Sequence, residues 1–489
     1  MDTYDVAVIG AGVSGASIAR RLSAYRLGIV LLEREVDVSF GVSKANSGII
    51  HGGFHHDSSA LKSRLEIRGN MMFDRLQREL HFPFKRVGIL VAALSVEEMK
   101  TVERLYLNGV ANDSIGIELC NRERIMTLEP KLNPDVVGGL HAPLGGIIEP
   151  YRLVFSLVES ATKNGVDVRT SFEVAAAELD GETYSLRSAA GEVVRARWVV
   201  NAAGLFADEV SRTFGAEEYT ITPRKGEEFL MDRNAAAFTS KVVFPVPGTV
   251  SKGMLVIPTV EGTTMVGPTA VGQEDKHDFT TTRDNFERVF YSARRLVPSV
   301  SERDIITSFA GLRPTLPGDD FYIEPSAKIP RFIHVAGIQS PGLTASPAIG
   351  EYVKDLLKEE GMELTERAGY DPFIEAMPLI RETEPNSAAE LIRRNPKYGN
   401  IVCRCESVSE AEIIEAIRHG HTTLDGIKFY TRAQMGRCQG GFCTYKILKI
   451  LQRETGISLD EITKRGRGSY VIAGEIGSGE GSIPAGGRA

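Results

Sequence analysis

A chain of 489 residues is long enough for two or three domains with an ample core. Its 57 basic and 64 acidic residues leave a net charge of −7, which argues against a nucleic-acid binder, and no apolar run approaches the roughly 20 residues needed to span a bilayer. The first strand starts within a few residues of Met1, so no signal peptide and a cytoplasmic location are expected; four of the five cysteines cluster near the C-terminus, a pattern of metal or redox chemistry rather than of disulfides.

Residues 5–9 are a short apolar, β-branched run of the kind that forms a buried parallel strand. Gly10-Ala11-Gly12-Val13-Ser14-Gly15 follows at once, residues 16–26 read as a helix, and residues 29–32 are a second buried strand running into Glu33. Strand, glycine triplet, helix, strand and acid in that order make a βαβ dinucleotide fingerprint. Gly10 permits the tight turn, Gly12 lets the backbone approach a pyrophosphate, and Gly15 allows close helix–strand packing. The N–H groups and positive dipole end of the helix face the phosphates. Glu33 is placed to accept hydrogen bonds from a ribose, and an acid there suits FAD or NAD better than NADP.

Residues 39–48 then form a loop of small and polar residues, entering a helix or turn around residues 49–53. Residues 61–80 carry one broad apolar face at helical spacing, 88–92 read as a strand, and 96–108 as a helix capped by Ser95. Residues 145–150 read as a turn, 151–163 as a helix, and 166–169 and 185–187 as strands of a small sheet. Residues 198–204 are a buried strand running into a small-residue turn. From 220 to 320, short β-rich runs alternate with Gly/Pro turns around a helix at 283–296, which predicts a mostly antiparallel sheet in a second domain inserted into the first. The nucleotide domain resumes with a strand at 332–337, the turn Ser340-Pro341-Gly342-Leu343-Thr344, and a helix at 345–358. A charged stretch at 359–400 leads to the cysteine region, and the Gly/Ser-rich residues after Lys464 are expected to be disordered.

Several of these positions taken together resemble the D-amino-acid oxidase superfamily of FAD-dependent oxidoreductases. They are Gly10, Gly12 and Gly15 with Glu33, the segment Asn46-Ser47-Gly48-Ile49-Ile50-His51-Gly52-Gly53, Asn201-Ala202-Ala203-Gly204, Gly311-Leu312-Arg313-Pro314, and the run from Gly337 to Gly350. Within that superfamily, the His51 segment and Leu61-Lys62-Ser63-Arg64-Leu65 are similar to L-2-hydroxyglutarate dehydrogenases and anaerobic glycerol-3-phosphate dehydrogenases. Where the latter commonly carry Arg-Tyr, this chain has His55 and His56. The resemblance implies an α/β architecture with a Rossmann-like FAD-binding domain (residues 1–80, 151–215 and 326–360). An inserted α+β substrate domain of mainly antiparallel sheet (81–150 and 216–325) would roof the isoalloxazine. It implies FAD contacts at Gly10, Gly12, Val13, Ser14, Gly15, Glu33, Arg34, Asn46, Ser47, Gly48, Ile49, Val174, Ala203, Gly204, Gly311, Gly337, Gly342, Leu343 and Thr344. The chemistry implied is two-electron oxidation of a C–H bond beside a hydroxyl or amine.

Such a reaction needs a group to accept the hydroxyl proton and another to hold the substrate's anionic end. His51, in the flavin-facing loop, is the leading candidate base, because imidazole titrates near neutrality; otherwise it shapes the loop through backbone hydrogen bonds. His55 and His56 are the neighbouring alternatives. Arg313 stands where the family places an arginine at the substrate's anionic end, and its planar fork suits a carboxylate or phosphate; the alternative is a structural salt bridge. Lys225 is either a second positive charge or an exposed turn lysine.

Cys403-Arg404-Cys405 and Cys438-Gln439-Gly440-Gly441-Phe442-Cys443 form a Cys-x-Cys and a Cys-x4-Cys pair. Four thiolates suit zinc or a [2Fe–2S] cluster, although Cys-x-Cys is tighter than usual zinc-finger spacing. The segment resembles the bacterioferritin-associated-ferredoxin type of [2Fe–2S] domain, with a helix near 410–419 and another from residue 444. Gly436, Gly440 and Gly441 would open backbone N–H groups to the sulfurs. This small helical iron–sulfur domain is assigned residues 399–465, after a linker at 361–398 and before a flexible tail at 466–489. Cys120 stands alone and reads as a buried hydrophobe.

The resemblance therefore implies a dehydrogenase of a small anionic hydroxy compound, glycerol 3-phosphate first and L-2-hydroxyglutarate or another 2-hydroxy acid second. A one-electron centre on a separate domain implies electron exit to a partner, either a second flavoprotein or a quinone-linked subunit, in a hetero-oligomer that could sit peripherally at a membrane. If the cysteines hold structural zinc, a self-contained oxidase or an amine-oxidising flavoenzyme is the alternative; a catalytically silent scaffold is a third.

Overall fold

The computed structural model describes residues 3–248 and 253–474, and the chain divides into two compact units, Met1–Glu375 and Ala376–Ala489. At the centre of the first unit, the strand Thr3–Ile9 pairs in parallel with Ile29–Leu32 on one side and Val193–Asn201 on the other. Asp167–Arg169 extends the parallel sheet beyond Ile29–Leu32, and Phe332–Ala336 extends it beyond Val193–Asn201. Val6, Ala7 and Val8 have no exposed surface, which is why the first strand is a continuous apolar run and not an alternating one. The helices Val13–Leu22 and Gly342–Glu359 approach closely enough that a Cβ at Gly350 would lie 2.8 Å from the Ser17 carbonyl oxygen.

Two predicted strands fall in a different place from the one expected. Residues 166–169 and 185–187 do not make a separate small sheet. Asp167–Arg169 is the edge of the parallel sheet, and Thr183–Ser188 pairs antiparallel with Val193–Asn201 in that same sheet, which has eight strands among the described residues. A strand of three residues carries no local mark of its partner, so only tertiary pairing assigns it.

The second layer is a nine-stranded sheet, counted among the described residues. It joins Ile89–Ala93, Glu118–Asn121 and Gly138–Ala142 to the strands between Thr222 and Thr315, with Thr222–Met231 and Ile305–Thr315 antiparallel along their whole length. All its pairings are antiparallel save Ile89–Ala93 with Val242–Pro245. The helix Arg283–Leu296 buries Val289, Phe290, Ala293 and Leu296 in its core cluster. Tyr322–Pro325 already pairs with Phe332–Ala336, so the chain rejoins the nucleotide sheet slightly before residue 326.

Smaller departures have local causes. Residues 145–150 contain the strand Gly146–Ile148, which sits between Ile49–Ile50 and Phe84–Arg86; turn composition hid it. The long helix expected at 61–80 is two helices, Leu61–Asn70 and Phe73–Leu80, and a Cβ at Gly69 beside the break would lie 2.1 Å from the Thr344 carbonyl oxygen. The start of the expected linker is fastened to the first unit: Arg367 donates from its backbone to the Ala24 carbonyl and from its guanidinium to those of Ser23 and Leu27. Further on, Pro385–Arg394 is helical.

The second unit has a short hairpin, Ile401–Cys403 with Val408–Ser409, and the helices Glu410–Arg418, Leu424–Thr431 and Thr444–Thr455. Leu424–Thr431 was not expected; Gly426 lowers its helix propensity, but the Thr423 hydroxyl caps it by accepting from the Gly426 N–H at 3.0 Å. Thr463 and Tyr470 form a β-bridge, so part of the expected disordered tail is ordered, and residues 475–489 lie outside the described residues. Among the described residues no helix is long and apolar enough to cross a membrane.

Candidate active site and cysteine cluster

The glycine triplet sits at the C-terminal end of the first strand, where parallel sheets present ligands. Gly10 has φ +100°, and a Cβ there would lie 2.5 Å from the Ala202 carbonyl oxygen; one on Gly15 would lie 1.9 Å from the Gly10 oxygen. Gly12 heads the helix Val13–Leu22 without a side chain to cap it, so Ser14 and Gly15 present first-turn amides, while the Val13 N–H donates to Ser43 Oγ at 2.8 Å. Glu33 is buried. Its Oε2 accepts from the Ala11 N–H at 2.8 Å and its Oε1 from the Glu35 N–H at 3.0 Å, which fastens the strand end to the glycine turn. Burial raises its pKa despite those two bonds. Two accepted bonds leave about half of a carboxylate's lone-pair positions for a ribose.

The other residues expected at this end are close by in the fold. Val174 lies two residues past Phe172, whose N–H donates to the Glu33 carbonyl at 2.8 Å. Asn201 holds the following turn by accepting from the Ala203 N–H and donating to the Ala207 carbonyl, with Gly204 at φ +59°. The Arg34 guanidinium stacks 3.7 Å above the ring of Phe206, a residue that nothing in the sequence pattern marked.

A second group of residues surrounds the loop after Gly41. Asn46 braces the loop by donating to the Ser43 carbonyl at 2.8 Å and accepting from the Gly48 N–H at 3.0 Å. Gly48 and Gly311 both allow backbone approach: a Cβ would lie 2.4 Å from the Ile148 oxygen and 1.9 Å from the Ala45 oxygen respectively. His51 is buried, immediately after the strand Ile49–Ile50. Its N–H donates to Thr344 Oγ1 at 2.9 Å, its carbonyl accepts from Asn70 at 2.6 Å, and its Nε2 lies 3.2 Å from Ser340 Oγ. Gly342, Leu343 and Thr344 form the first turn of Gly342–Glu359, after Gly337 at φ +70°. Residues nearly 300 positions apart thus meet at one imidazole. The His55 ring stands edge-on to that of His51 at 5.8 Å, and both lie against Phe244. His56 is 6.4 Å from His55, and its carbonyl accepts from Asn112.

Arg313 and Lys225 lie on the paired strands Ile305–Thr315 and Thr222–Met231, and their settings differ. Lys225 is not an exposed turn residue; it is buried and its Nζ lies 2.7 Å from Asp278, whose pKa it holds well below the usual carboxylate range. The Arg313 guanidinium lies across Gly226, where a Cβ would come within 2.5 Å of Nη2, and it donates to the Thr269 carbonyl at 3.2 Å. No carboxylate among the described residues lies within ion-pairing distance of it, so it makes no structural salt bridge. Ser47 turns out to donate at 2.5 Å to Glu228, a buried carboxyl whose pKa burial pushes up to about 7 against the pull of Ser47 and Arg313. Sequence reasoning missed Glu228, Ser340 and Phe244. For Glu228 the faint signal was a pair of acids, Glu227-Glu228, directly before the apolar Phe229-Leu230-Met231.

In the second unit the four predicted cysteines come together. Cys403 and Cys405 Sγ lie 3.8 Å apart, Cys405 and Cys438 Sγ 3.9 Å apart, and the Cys403 thiol is hydrogen-bonded with Cys443; none is in a disulfide. Backbone N–H groups of Glu406 and Gln434 point at the Cys403 sulfur, and those of Phe442 and Gly440 at Cys438. Left-handed turns at Gln434 (φ +76°) and Gly440 (φ +89°) shape the backbone here, and a Cβ on Gly436 would strike the Cys405 sulfur at 2.5 Å. Burial opposes ionisation of Cys438, but those N–H groups outweigh it and lower its pKa, whereas burial pushes Cys405 up to about 12. Two thiolates about 2.3 Å from one tetrahedral ion sit about 3.8 Å apart, which matches the Cys403–Cys405 spacing. Among the described residues no group of three or more His, Cys, Asp or Glu side chains is arranged to hold one metal ion. A cluster that takes two thiolates per iron suits pairs of sulfurs cradled by N–H groups better than a four-thiolate zinc ion does. Cys120, by contrast, is buried in an apolar cluster with its pKa pushed up to about 11 by that burial.

The model of the FAD dependent oxidoreductase family, DAO, matches residues 5–356. The chain belongs to this family. A second model, the BFD-like [2Fe-2S] binding domain, matches residues 401–453, the segment that gathers the cysteines. A glycerol 3-phosphate dehydrogenase of Caloramator mitchellensis is 40% identical, with 96% of this chain and 98% of the relative aligned. The anaerobic glycerol-3-phosphate dehydrogenase subunit A1 of Haloferax volcanii is 26% identical over 92% of this chain and 83% of the relative. Among solved structures, an FAD-bound L-alpha-glycerophosphate oxidase from Mycoplasma pneumoniae superposes with a TM-score of 0.74 at 29% identity, covering 78% of this chain and all of that one.

The cofactors of this DAO oxidoreductase are FAD and a [2Fe–2S] cluster, and the local geometry fits both. Side-chain-free backbone at Gly10, Gly12 and Gly15 accommodates a pyrophosphate, and the paired thiols with their N–H donors accommodate the cluster. It is an FAD-dependent enzyme of the type that acts on CH–OH donors.

Proposed function

We propose that this oxidoreductase converts glycerol 3-phosphate to dihydroxyacetone phosphate and sends the electrons through its own iron–sulfur domain to a partner protein. The observation that carries the reading is the 40% identity to a glycerol 3-phosphate dehydrogenase along nearly the whole of both chains, iron–sulfur segment included. Bound FAD supplies the two-electron acceptor for the C–H bond of the secondary alcohol. His51 takes the hydroxyl proton at Nε2, with the Ser340 hydroxyl orienting the ring and Thr344 and Asn70 fixing the backbone that carries it. His55 packs edge-on beside it and limits its rotation. Arg313 holds the phosphate, since no carboxylate among the described residues pairs with its guanidinium, which presents a planar fork of donors. Lys225 contributes less, its charge being met by Asp278. The relative named as an anaerobic subunit supports a hetero-oligomer whose other chain accepts the electrons. Five cysteines with none in a disulfide support a reducing, cytoplasmic setting.

Anaerobic bleaching of the flavin bands tests this reading, with glycerol 3-phosphate set against L-2-hydroxyglutarate and lactate and iron measured in the same sample. Rapid bleaching by glycerol 3-phosphate alone, with about two irons per chain, is the expected result. In Arg313→Ala the flavin should remain bound while KM rises at least a hundredfold, the loss of a charge-assisted anion contact of about 3 kcal/mol. Bleaching only by a hydroxy acid would overturn the substrate assignment.

A further inference from the structure

Glu228 is a buried acid that the chemistry above does not use. Its Oε1 accepts from Ser47 Oγ at 2.5 Å, in the loop that leads to His51, and its Oε2 is buried with no hydrogen-bond partner among the described residues. Of the other charged groups on this pair of strands, Lys225 is met by Asp278 at 2.7 Å, Arg224 lies 3.6 Å from Asp319, and Glu227 accepts from Asn285 and the Thr282 N–H. Among the described residues Arg313, on Ile305–Thr315, is the one charge acting on Glu228, and Glu228 and Arg224 are those acting on Arg313. The neighbouring strand Thr264–Gly267 carries no titratable side chain, and the Cβ position of its Gly267 lies 3.3 Å from Glu228 Cγ. Glu228 and Arg313 are electrostatically coupled without being in ion-pair contact, so the guanidinium has one negative neighbour inside the protein and, on the reading above, a second one in the substrate.

A half-buried guanidinium cannot serve two anions at no cost when one of them is a buried carboxylate. With Glu228 ionised, an incoming phosphate would face a like charge screened by little solvent, and the Oε2 lone pairs would be both charged and unsatisfied. With Glu228 neutral, the Ser47 bond is kept, the second oxygen carries the proton, and the full charge of Arg313 faces the anion. We propose that Glu228 is a proton-linked positioning residue: anion binding at Arg313 takes up one proton from solvent onto Glu228. The proposal rests on the assignment of Arg313 as the anion anchor, and the experiment below separates the two. It assigns this site a preference for dianions, which gain most from removing the competing charge.

The probe is inorganic sulfate, because it keeps its charge throughout the working range whereas a phosphate monoester titrates near pH 6. Sulfate affinity for the FAD-loaded holoenzyme is read from the shift of the flavin bands between pH 6 and pH 9. The wild type should bind about a hundredfold more weakly at pH 9 than at pH 6, since each pH unit above the Glu228 pKa weakens binding up to about tenfold. Glu228→Gln, an isosteric mimic of the neutral acid, should keep the low-pH affinity at every pH. A wild-type profile that is flat, or a slope that persists in Glu228→Gln (as titration of His51 would give), overturns the proposal. Arg313→Ala that binds sulfate as the wild type does overturns the anchor assignment instead. A measurement on the unaltered protein stands beside the variants: calorimetry of sulfate binding at pH 8 in two buffers of different ionisation enthalpy should report uptake of about one proton, and no uptake sinks the linkage.

Discussion

At the scale of single residues, the proposed chemistry depends on where each polar group is held and on which charge meets which. His51 has its backbone tied at both N–H and carbonyl while its ring meets Ser340, so its imidazole is held in a fixed place. His51→Asn should therefore lower kcat by about 10²–10⁴, the usual contribution of a positioned general base, with flavin content and KM nearly unchanged. Equal falls in flavin binding and kcat would show instead that the residue only shapes the loop. Lys225 and Arg313 sit on adjacent strands with opposite fates: Asp278 neutralises the lysine, and no carboxylate among the described residues pairs with the arginine. Sequence alone left a ligand contact and a salt bridge both open for Arg313, and a second positive charge and an exposed turn both open for Lys225, because the partner of Lys225 lies 53 residues away in a loop.

At the scale of elements, turns and caps aim the functional backbone. The helix Glu410–Arg418 follows directly from the hairpin that carries Cys403, and Ser409 starts it with a full capping box: its hydroxyl accepts from the Glu412 N–H while the Glu412 carboxylate accepts from the Ser409 N–H. Removing the cap in Ser409→Ala should cost about 1–2 kcal/mol, since the buried Glu412 carboxylate also loses the Ser409 hydroxyl. On heating, the variant's iron–sulfur absorbance should be lost at a lower temperature than in the wild type while the flavin bands melt unchanged. Parallel loss of both would show that the capped helix is not what limits the cluster unit. The sequence reading placed this helix near 410–419 without its cap, whereas the Ser95 cap and the helix at 283–296 were both legible and the structure reproduces them to the residue. The strands Ile49–Ile50 and Gly146–Ile148 were not, since two or three apolar residues beside glycines carry no period from which to read a strand.

At the scale of the whole molecule, two redox groups of different capacity sit in separate compact units of one chain. A flavin takes two electrons and a [2Fe–2S] cluster one, so an anaerobic dithionite titration should consume about three electrons per wild-type chain. Cys438→Ser should consume about two, lose the absorbance beyond the flavin bands, and still be bleached by glycerol 3-phosphate. Uptake of three electrons by that variant would mean the thiol is not a ligand of the cluster. The sequence by itself determined the parts of this protein that are built from contiguous residues. The glycine turn with its strand and acid, the cysteine pairs, and the division into a nucleotide sheet with an inserted antiparallel sheet all follow from local spacing and periodicity, which act over a few residues. Only the tertiary structure decided what meets across the chain: Ser340 and Thr344 at His51, Asp278 on Lys225, and Ser47 on a buried Glu228 beside Arg313. Those meetings are fixed by sheet register and by backbone approaches that admit no side chain, as at Gly311 and Gly226, and neither leaves a mark in the residues that it brings together.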